Sequence, residues 1–243
     1  MSLTRRRVQL ATTDPHPAYV VWELTLRCDH ACTHCGSRAG VARPDELTES
    51  EALAVADQLV DSGAREVVLI GGEAYLHDAF LAVVERLASR GVTPILTTGG
   101  RGVTPELARA MKNAGLARVS VSIDGLEATH DAMRSQRGSF GRALAALAAC
   151  REAGLRINAN TNLNRFNQGD LEALFEVLRE YEVRGWQIQL TTPLGRAADR
   201  VDMILQPWDL LELIPRVAAI KERAWTAGMF VFPGNNLGYF GPE

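Results

Sequence analysis

Predicted strands and helices alternate along this chain, and the alternation limits the folds open to it. Six apolar, β-favouring segments are each followed by a helical segment, in units of roughly 25–35 residues. Strands separated by a helix pair in parallel through right-handed crossovers. Six units suit a partial, open barrel better than a closed eightfold one. The sequence therefore predicts an α/β fold, a partial (β/α)6 TIM-like barrel with parallel strands.

The hydrophobic pattern and the capping residues give the bounds of these elements. The predicted strands are residues 19–26, 66–70, 93–96, 118–123, 156–161 and 186–191. Thr48-Glu-Ser-Glu51 is a capping box that starts a helix ending near residue 61, and Thr104-Pro105 starts another. The other predicted helices are residues 78–90, 140–153, 169–181 and 209–227.

Composition places few limits on function but excludes some partners. The 243 residues contain no stretch approaching the ~20 apolar residues of a membrane span, and no signal-peptide core follows Met1. We therefore expect a cytoplasmic protein with no membrane partner. A net charge of −3, without a basic patch interleaved with aromatics, predicts no nucleic-acid partner. Residues 1–16 are predicted to be an N-terminal arm, and residues 17–243 one domain.

Three of the four cysteines fall within eight residues, as Cys28-Asp-His-Ala-Cys32-Thr-His-Cys35, just after the first predicted strand. In a reducing compartment such clusters are more often metal ligands than disulfides. Bridges between cysteines this close in sequence would also form strained loops. Three thiolates on one loop can hold three corners of an iron–sulfur cube and leave the fourth iron open to another ligand.

Glycines and polar residues also follow the other predicted strands. These clusters are residues 71–73, 97–100, 122–125, 160–164 and 191–196. The carboxyl ends of parallel strands share one face, where ligands bind, so we expect the clusters to converge there. Gly71 and Gly72 allow a ligand to approach the backbone closely, and Glu73 can accept hydrogen bonds from an ammonium group.

Together these motifs resemble the radical S-adenosylmethionine (radical SAM) enzymes over residues 17–243. The matching residues are Cys28, Cys32 and Cys35, then Gly71-Gly72-Glu73, and the segment Ser122-Ile-Asp-Gly125. The resemblance implies that the three cysteines bind a 4Fe–4S cluster and that S-adenosylmethionine (SAM) chelates its open iron. An external one-electron reductant of flavodoxin or ferredoxin type would drive SAM cleavage to a 5′-deoxyadenosyl radical, which abstracts hydrogen from the substrate.

The same resemblance implies a set of cofactor contacts. They are Gly71, Gly72 and Glu73 for the SAM amino group, Ser122 and Asp124 for the ribose or nearby groups, Asn160 for a further polar contact and Leu194 for the adenine. From the residues alone, Asp124 is equally well explained as a capping residue and Asn160 as a turn residue.

Other segments resemble the branch that modifies ribosomally made peptides (RiPP maturation) and carries a C-terminal SPASM domain with auxiliary clusters. They are residues 22–28, 71–76, 130–134, 137–140 and 234–242. This implies a peptide substrate. Ala74 and Gly99 depart from the usual proline and asparagine of the family. The remaining cysteine, Cys150, fits a buried helix face, so we expect the auxiliary-cluster domain to be missing from this sequence.

Three other functions stay open, and one of them, a cluster-bearing electron carrier, would not need the Gly71-Gly72-Glu73 motif. A radical SAM enzyme of cofactor biosynthesis would act on a tetrapyrrole, nucleotide or quinone precursor, and Arg101, Arg165 and Arg196 are available for an anionic substrate. A zinc-binding structural or regulatory domain would use the three cysteines with His30 or His34. Structural zinc sites usually draw ligand pairs from two separated segments, which this run does not offer.

Overall fold

A seven-stranded sheet in the order β1-β2-β3-β4-β5-β6-β7 forms the centre of the structure, and every neighbouring pair is parallel. The computed structural model describes residues 16–237, so the predicted arm up to residue 15 and residues 238–242 of the maturase-like segment lie outside the described residues. The strands are β1 Tyr19–Thr25, β2 Glu66–Gly71, β3 Thr93–Thr98, β4 Arg118–Ser122, β5 Arg156–Leu163, β6 Gly185–Leu190 and β7 Phe230–Pro233.

Seven α-helices are described on the connections between strands. They are α1 Glu49–Asp61, α2 Phe80–Ser89, α3 Pro105–Asn113, α4 Glu127–Arg134, α5 Ser139–Glu152, α6 Leu171–Glu180 and α7 Leu210–Thr226. The predicted capping box starts α1, since Thr48 Oγ1 accepts from the Glu51 amide and the Glu51 carboxylate accepts from the Thr48 amide. Within the described part of the chain, no helix is long and apolar enough to cross a membrane.

The predicted partial parallel barrel is confirmed, with one more strand than the sequence indicated. Among the described strands, β1 and β7 are the two edges of the sheet, so the barrel is open between them. The missed strand, β7, has four residues and ends in Pro233, too short for a visible alternation. The missed helix, α4, has no apolar stripe, because two of its three buried residues are His130 and Arg134. Its sequence pattern is therefore typical of an exposed polar segment.

The two faces of the sheet differ in chemistry, because side chains alternate along each strand. One face packs under the helices and contributes residues with no exposed surface, such as Leu69, Val121 and Ala159. Trp186 lies on this face, and its Nε1 donates to Thr161 Oγ1 at 2.9 Å. The other face lines the interior of the partial barrel, and its residues near the carboxyl ends of the strands form the site.

Candidate cofactor site

A cavity of about 450 Å³ lies against the inner face and the carboxyl ends of β1 to β6. Each of the six predicted strand-end clusters contributes to its wall. The contributing residues include Cys28, Cys32, Cys35, Gly71, Gly72, Glu73, Thr98, Gly99, Ser122, Asn160, Asn162 and Arg196. The structure therefore brings together, in one cavity, loops that are up to about 170 residues apart in the chain.

The cysteine loop is closed at its base by backbone hydrogen bonds. The Cys28 amide donates to Gly40 O at 3.1 Å, and the Gly40 amide donates to Leu26 O at 2.9 Å. Inside the loop, the His30 amide donates to Cys28 Sγ and the Ala39 amide to Cys35 Sγ, each at 3.4 Å. All three cysteines are free of disulfides. Amide donors aimed at sulfur stabilise the thiolate form that metal ligation requires.

The surroundings of Cys28 and Cys32 disfavour the negatively charged thiolate unless a positive charge lies nearby. Burial raises the pKa of Cys28 to about 12 and also raises the pKa of Cys32. These thiols therefore stay protonated at neutral pH until a metal displaces the protons. One cation is already present, because Arg134 Nη1 donates to Cys32 Sγ at 3.6 Å from a buried position.

The Gly71-Gly72 turn packs directly on the end of β1. The Gly72 amide donates to Thr25 O and the Glu73 amide to Arg27 O, both at 2.8 Å. A Cβ on Gly72 would lie 2.1 Å from Arg27 O and 2.7 Å from Cys28 Cβ. Only glycine allows this approach, so the turn fixes Glu73 beside the cysteine loop.

Glu73 is buried, and the end of β3 holds its carboxylate. Oε1 accepts from the Gly99 amide at 2.6 Å, and Oε2 accepts from Thr98 Oγ1 at 2.5 Å. Burial raises the pKa of Glu73 to about 7. Gly99 has no room for a side chain, because a Cβ there would lie 2.9 Å from Glu73 Oε1 and 2.9 Å from His30 Cε1. The departure from asparagine at this position thus has a steric reason.

Asp124 lies fully buried behind the cavity wall. Its Oδ1 accepts from the Asn162 amide at 2.9 Å, and its Oδ2 lies 2.6 Å from Arg134 Nη2 and 3.2 Å from His34 Nε2. Burial opposes ionisation, but Arg134 and then His34 hold the pKa of Asp124 well below its usual range. The predicted contact of Asp124 with the ribose stays a prediction; in this structure its carboxylate orients Arg134 and His34.

Sequence reasoning did not single out Arg134, although the guanidinium lines the cavity between Asp124 and Cys32. Burial pushes the pKa of Arg134 down, but Asp124 and Cys32 more than offset this and hold it above the usual value. The available signal was the spacing of His130, Met133 and Arg134, which places them on one face of α4. Both polar members of that face, His130 and Arg134, are buried, which is uncommon for a surface helix.

The histidines of the cysteine loop have other partners, which weighs against a zinc site. His30 Nδ1 lies 2.9 Å from Asp29 Oδ1 and His30 Nε2 lies 3.3 Å from Ser139 Oγ, while His34 Nε2 faces Asp124. Between residues 16 and 237, the one group of three ligand atoms within 4.8 Å of one another is Cys28, Asp29 and His30. Three thiolates on one zinc would need sulfurs about 4 Å apart. The three cysteine sulfurs do not all lie within 4.8 Å of one another, which suits a larger cluster better than one zinc ion.

The loop after β6 reaches across the barrel to the cysteine loop. Arg196 Nε donates to Cys32 O at 2.7 Å, its Nη1 to Ala39 O at 3.1 Å, and its amide to Cys35 O at 2.9 Å. Gly195 has φ +55°, and a Cβ there would lie 2.3 Å from Cys35 O. The neighbouring Leu194 is 64% exposed and does not line the cavity, so its contact with adenine stays a prediction.

The partial parallel barrel presents three free cysteines on its first strand-end loop, beside a buried carboxylate and a buried guanidinium. This is the architecture of a cluster-binding α/β enzyme. The donor set fits a three-cysteine cluster, since the sulfurs share one cavity and receive amide and guanidinium donors. Comparison with known proteins identifies the family. A profile of the Radical SAM superfamily matches residues 22–178, and the chain belongs to this superfamily, whose members use a 4Fe–4S cluster and SAM.

The chain is similar to curated relatives with different activities. It is 30% identical over 197 residues to the AdoMet-dependent heme synthase of Nitratidesulfovibrio vulgaris, covering 80% of this chain and 54% of that protein. It is 30% identical over 187 residues to the mycofactocin maturase MftC of Mycolicibacterium smegmatis, covering 75% of this chain and 47% of that protein. The chain thus spans about half the length of these relatives.

Solved structures share the fold. Streptococcus suis SuiB bound to S-adenosylmethionine superposes with a TM-score of 0.77 at 13% identity, over 90% of this chain and 51% of that chain. SuiB bound to its precursor peptide SuiA gives a TM-score of 0.78 at 14% identity, covering 90% of this chain and 49% of that chain. At this level of identity the similarity establishes the fold.

Proposed function

We propose that the protein is a radical SAM enzyme whose 4Fe–4S cluster is bound by Cys28, Cys32 and Cys35. The observation that carries the proposal is the convergence of these three free thiols, buried Glu73 and buried Arg134 on one cavity. When bound, the cluster supplies one electron to the sulfonium of SAM and so produces a 5′-deoxyadenosyl radical. The electron comes from an external flavodoxin- or ferredoxin-type reductant.

The protein side chains bind and orient the cofactor. The Glu73 carboxylate, fixed by Thr98 and Gly99, retains lone pairs that accept hydrogen bonds from the SAM amino group. Arg134 places a cation beside Cys32, where it offsets thiolate charge. Ser122 lines the same cavity and offers a hydroxyl to the ribose.

We propose a peptide as the substrate that the radical attacks. MftC is a maturase, and SuiB was solved with a precursor peptide, which supports the proposal. The arginines available for an anionic substrate are engaged elsewhere. Arg101 donates to Asp29 O, Arg165 pairs with Asp209 at 2.9 Å, and Arg196 donates to the cysteine loop.

A tetrapyrrole is the second candidate, favoured by the sequence similarity to the heme synthase. Its propionates would require free cations in the cavity wall, whereas both arginines that line the cavity already have partners. A peptide, which carries uncharged amide groups along its length, needs no such cation. The chemistry of the wall therefore favours the peptide.

Anaerobic reconstitution tests the proposal. The expected product binds about four irons and four sulfides per chain and, with dithionite and SAM, releases methionine and 5′-deoxyadenosine. Mass spectrometry after incubation with synthetic peptides encoded beside the gene, and separately with coproporphyrin III, then identifies the substrate class. A mass change in a peptide supports the proposal, and turnover of the porphyrin alone contradicts its peptide part.

A further inference from the structure

The inner faces of β4, β5 and β6 carry uncharged polar side chains in register. Ser122 pairs with Asn160 and Asn160 with Gln187, while Asn162 pairs with Gln189 one step along. All five residues line the cavity that contains the cysteine loop. Residues two apart on a strand face the same side, so Gln187 and Gln189 form a continuous row on β6. We refer to these five residues as the amide wall.

Part of the amide wall has unused hydrogen-bonding groups. Gln189 Nε2 donates to Asn162 Oδ1 at 3.2 Å, which leaves the Gln189 carbonyl oxygen available. In the described part of the chain, no hydrogen bond joins the side-chain amide of Gln187 to another protein group. A carboxamide offers two N–H donors and one carbonyl acceptor. Gln187 therefore presents both kinds of group to whatever enters the cavity.

The charged side chains of the cavity are not on this wall. Arg134 is paired with Asp124, Arg196 donates to the cysteine loop, and Glu73 accepts from Thr98 and Gly99. A ligand group lying against Gln187 and Gln189 thus meets neutral donors and acceptors. A peptide backbone presents N–H and C=O groups that match carboxamides, whereas a carboxylate or phosphate there would lack a counter-charge.

We propose that the Gln187 carboxamide, with Gln189 beside it, binds main-chain amide groups of the peptide substrate. Ser122 and Asn160, on the neighbouring strands, are assigned to contacts with SAM. The inference rests on the proposed function, since it assigns a subsite for the peptide. It makes Gln187 a substrate-binding residue that recognises the peptide backbone, and side-chain preferences of the peptide then arise elsewhere in the cavity.

The test uses the cluster-loaded protein with SAM bound and a displayed library of random dodecapeptides. The most enriched sequence is synthesised, and its Kd is measured anaerobically for the wild type, for Gln187→Leu and for Gln187→Glu. Gln58→Leu, on the exposed face of α1, is the matched control. We expect Gln187→Leu to raise the peptide Kd about tenfold, which corresponds to about 1.4 kcal/mol for the lost hydrogen bonds. Gln187→Glu, which keeps the shape and the acceptors but loses the donors, should also weaken binding.

N-methylation of the same peptide, one backbone position at a time, tests the contact directly. At one position the methyl group should weaken binding to the wild type and to Gln58→Leu but have little further effect in Gln187→Leu, because the partner is already gone. The iron content and the SAM Kd should not change in any of the variants.

Three results would overturn the inference and leave the proposed function intact. They are an unchanged peptide Kd in both Gln187 variants, a raised SAM Kd, and equal N-methyl effects in the wild type and Gln187→Leu. A library from which no peptide is enriched, while coproporphyrin III binds, would overturn the peptide substrate and this subsite together. In that case formation of 5′-deoxyadenosine would still distinguish a working cofactor site from a failed one.

Discussion

Arg196 provides a quantitative prediction about the cysteine loop. Its guanidinium donates to Cys32 O at 2.7 Å and to Ala39 O at 3.1 Å, and so joins the loop after β6 to the loop after β1. Hydrogen bonds from a charged donor contribute about 1.5–3 kcal/mol each. Since the Arg196 side chain is only partly buried, we take the lower end and expect Arg196→Met to lose about 2–3 kcal/mol of local stability.

Hydrogen–deuterium exchange on the metal-free protein measures this loss. A local loss of 2–3 kcal/mol predicts about 30- to 150-fold faster exchange of the protected amides in residues 28–40. One such amide is Gly40, which donates to Leu26 O at 2.9 Å. The strands of the core should keep their protection. In the cluster-loaded variant, iron should then be lost faster to a chelator.

Arg38→Gln is the matched control. Arg38 belongs to the cysteine loop and also bonds a residue after β6, Asp199, at 2.9 Å, but both side chains are more than half exposed. Exposed pairs contribute little, so exchange in residues 28–40 should change by only a few fold at most. Exchange of Arg196→Met within twofold of the wild type in this segment, or an equal effect of Arg38→Gln, would refute the stabilising role of Arg196.

Three further substitutions test the site. Cys32→Ala should reduce the iron bound on reconstitution to near zero in a colorimetric assay, since two thiolates cannot hold the cube. Cys150→Ala, at a buried position of α5, should retain the iron. Glu73→Gln should flatten the pH dependence of unfolding in urea. Burial raises the pKa of Glu73 from 4.5 to about 7, so the native state retains a proton that the unfolded chain releases, and the metal-free wild type should lose stability from pH 5 to pH 8. Asp124→Asn should destabilise the protein by about 3–5 kcal/mol in thermal unfolding, because Arg134 is left as an unpaired buried charge, and adding Arg134→Met should restore part of the loss.

Each of these predictions has an outcome that contradicts it. A full complement of iron in Cys32→Ala would remove this cysteine from the ligand set. Equal pH slopes for Glu73→Gln and the wild type would show that the carboxyl titrates as in the unfolded chain. Additive losses in the Asp124 and Arg134 double variant would show that the two side chains do not interact.

The strands were predictable where several apolar or β-branched residues follow one another and are buried in the sheet. Residues 66–70 were predicted and β2 is Glu66–Gly71, because its central residues are apolar and buried on the sheet. The end of β5 was placed two residues early, at 161 instead of Leu163, because Asn162 is typical of a turn. In the barrel, Asn162 lies on the inner polar face, where the strand tolerates it.

The functional residues of the site were predictable where they belong to a short motif in the sequence. Three cysteines in eight residues and a Gly-Gly-Glu turn are visible in the sequence alone. The contacts of Arg134 and Arg196 with the cysteine loop were not, because they join residues 102 and 164 positions apart. No local pattern specifies which strand-end loops touch, since that depends on how the sheet curves.

Electron paramagnetic resonance of the reduced, reconstituted protein tests the central claim most directly. If Cys28, Cys32 and Cys35 hold a 4Fe–4S cluster with one iron open to SAM, the reduced protein should show a cluster signal whose g-values shift when SAM is added. The Glu73→Ala variant should need a higher SAM concentration for the same shift. A signal that SAM leaves unchanged, or a colourless protein containing zinc instead of iron, would contradict the account.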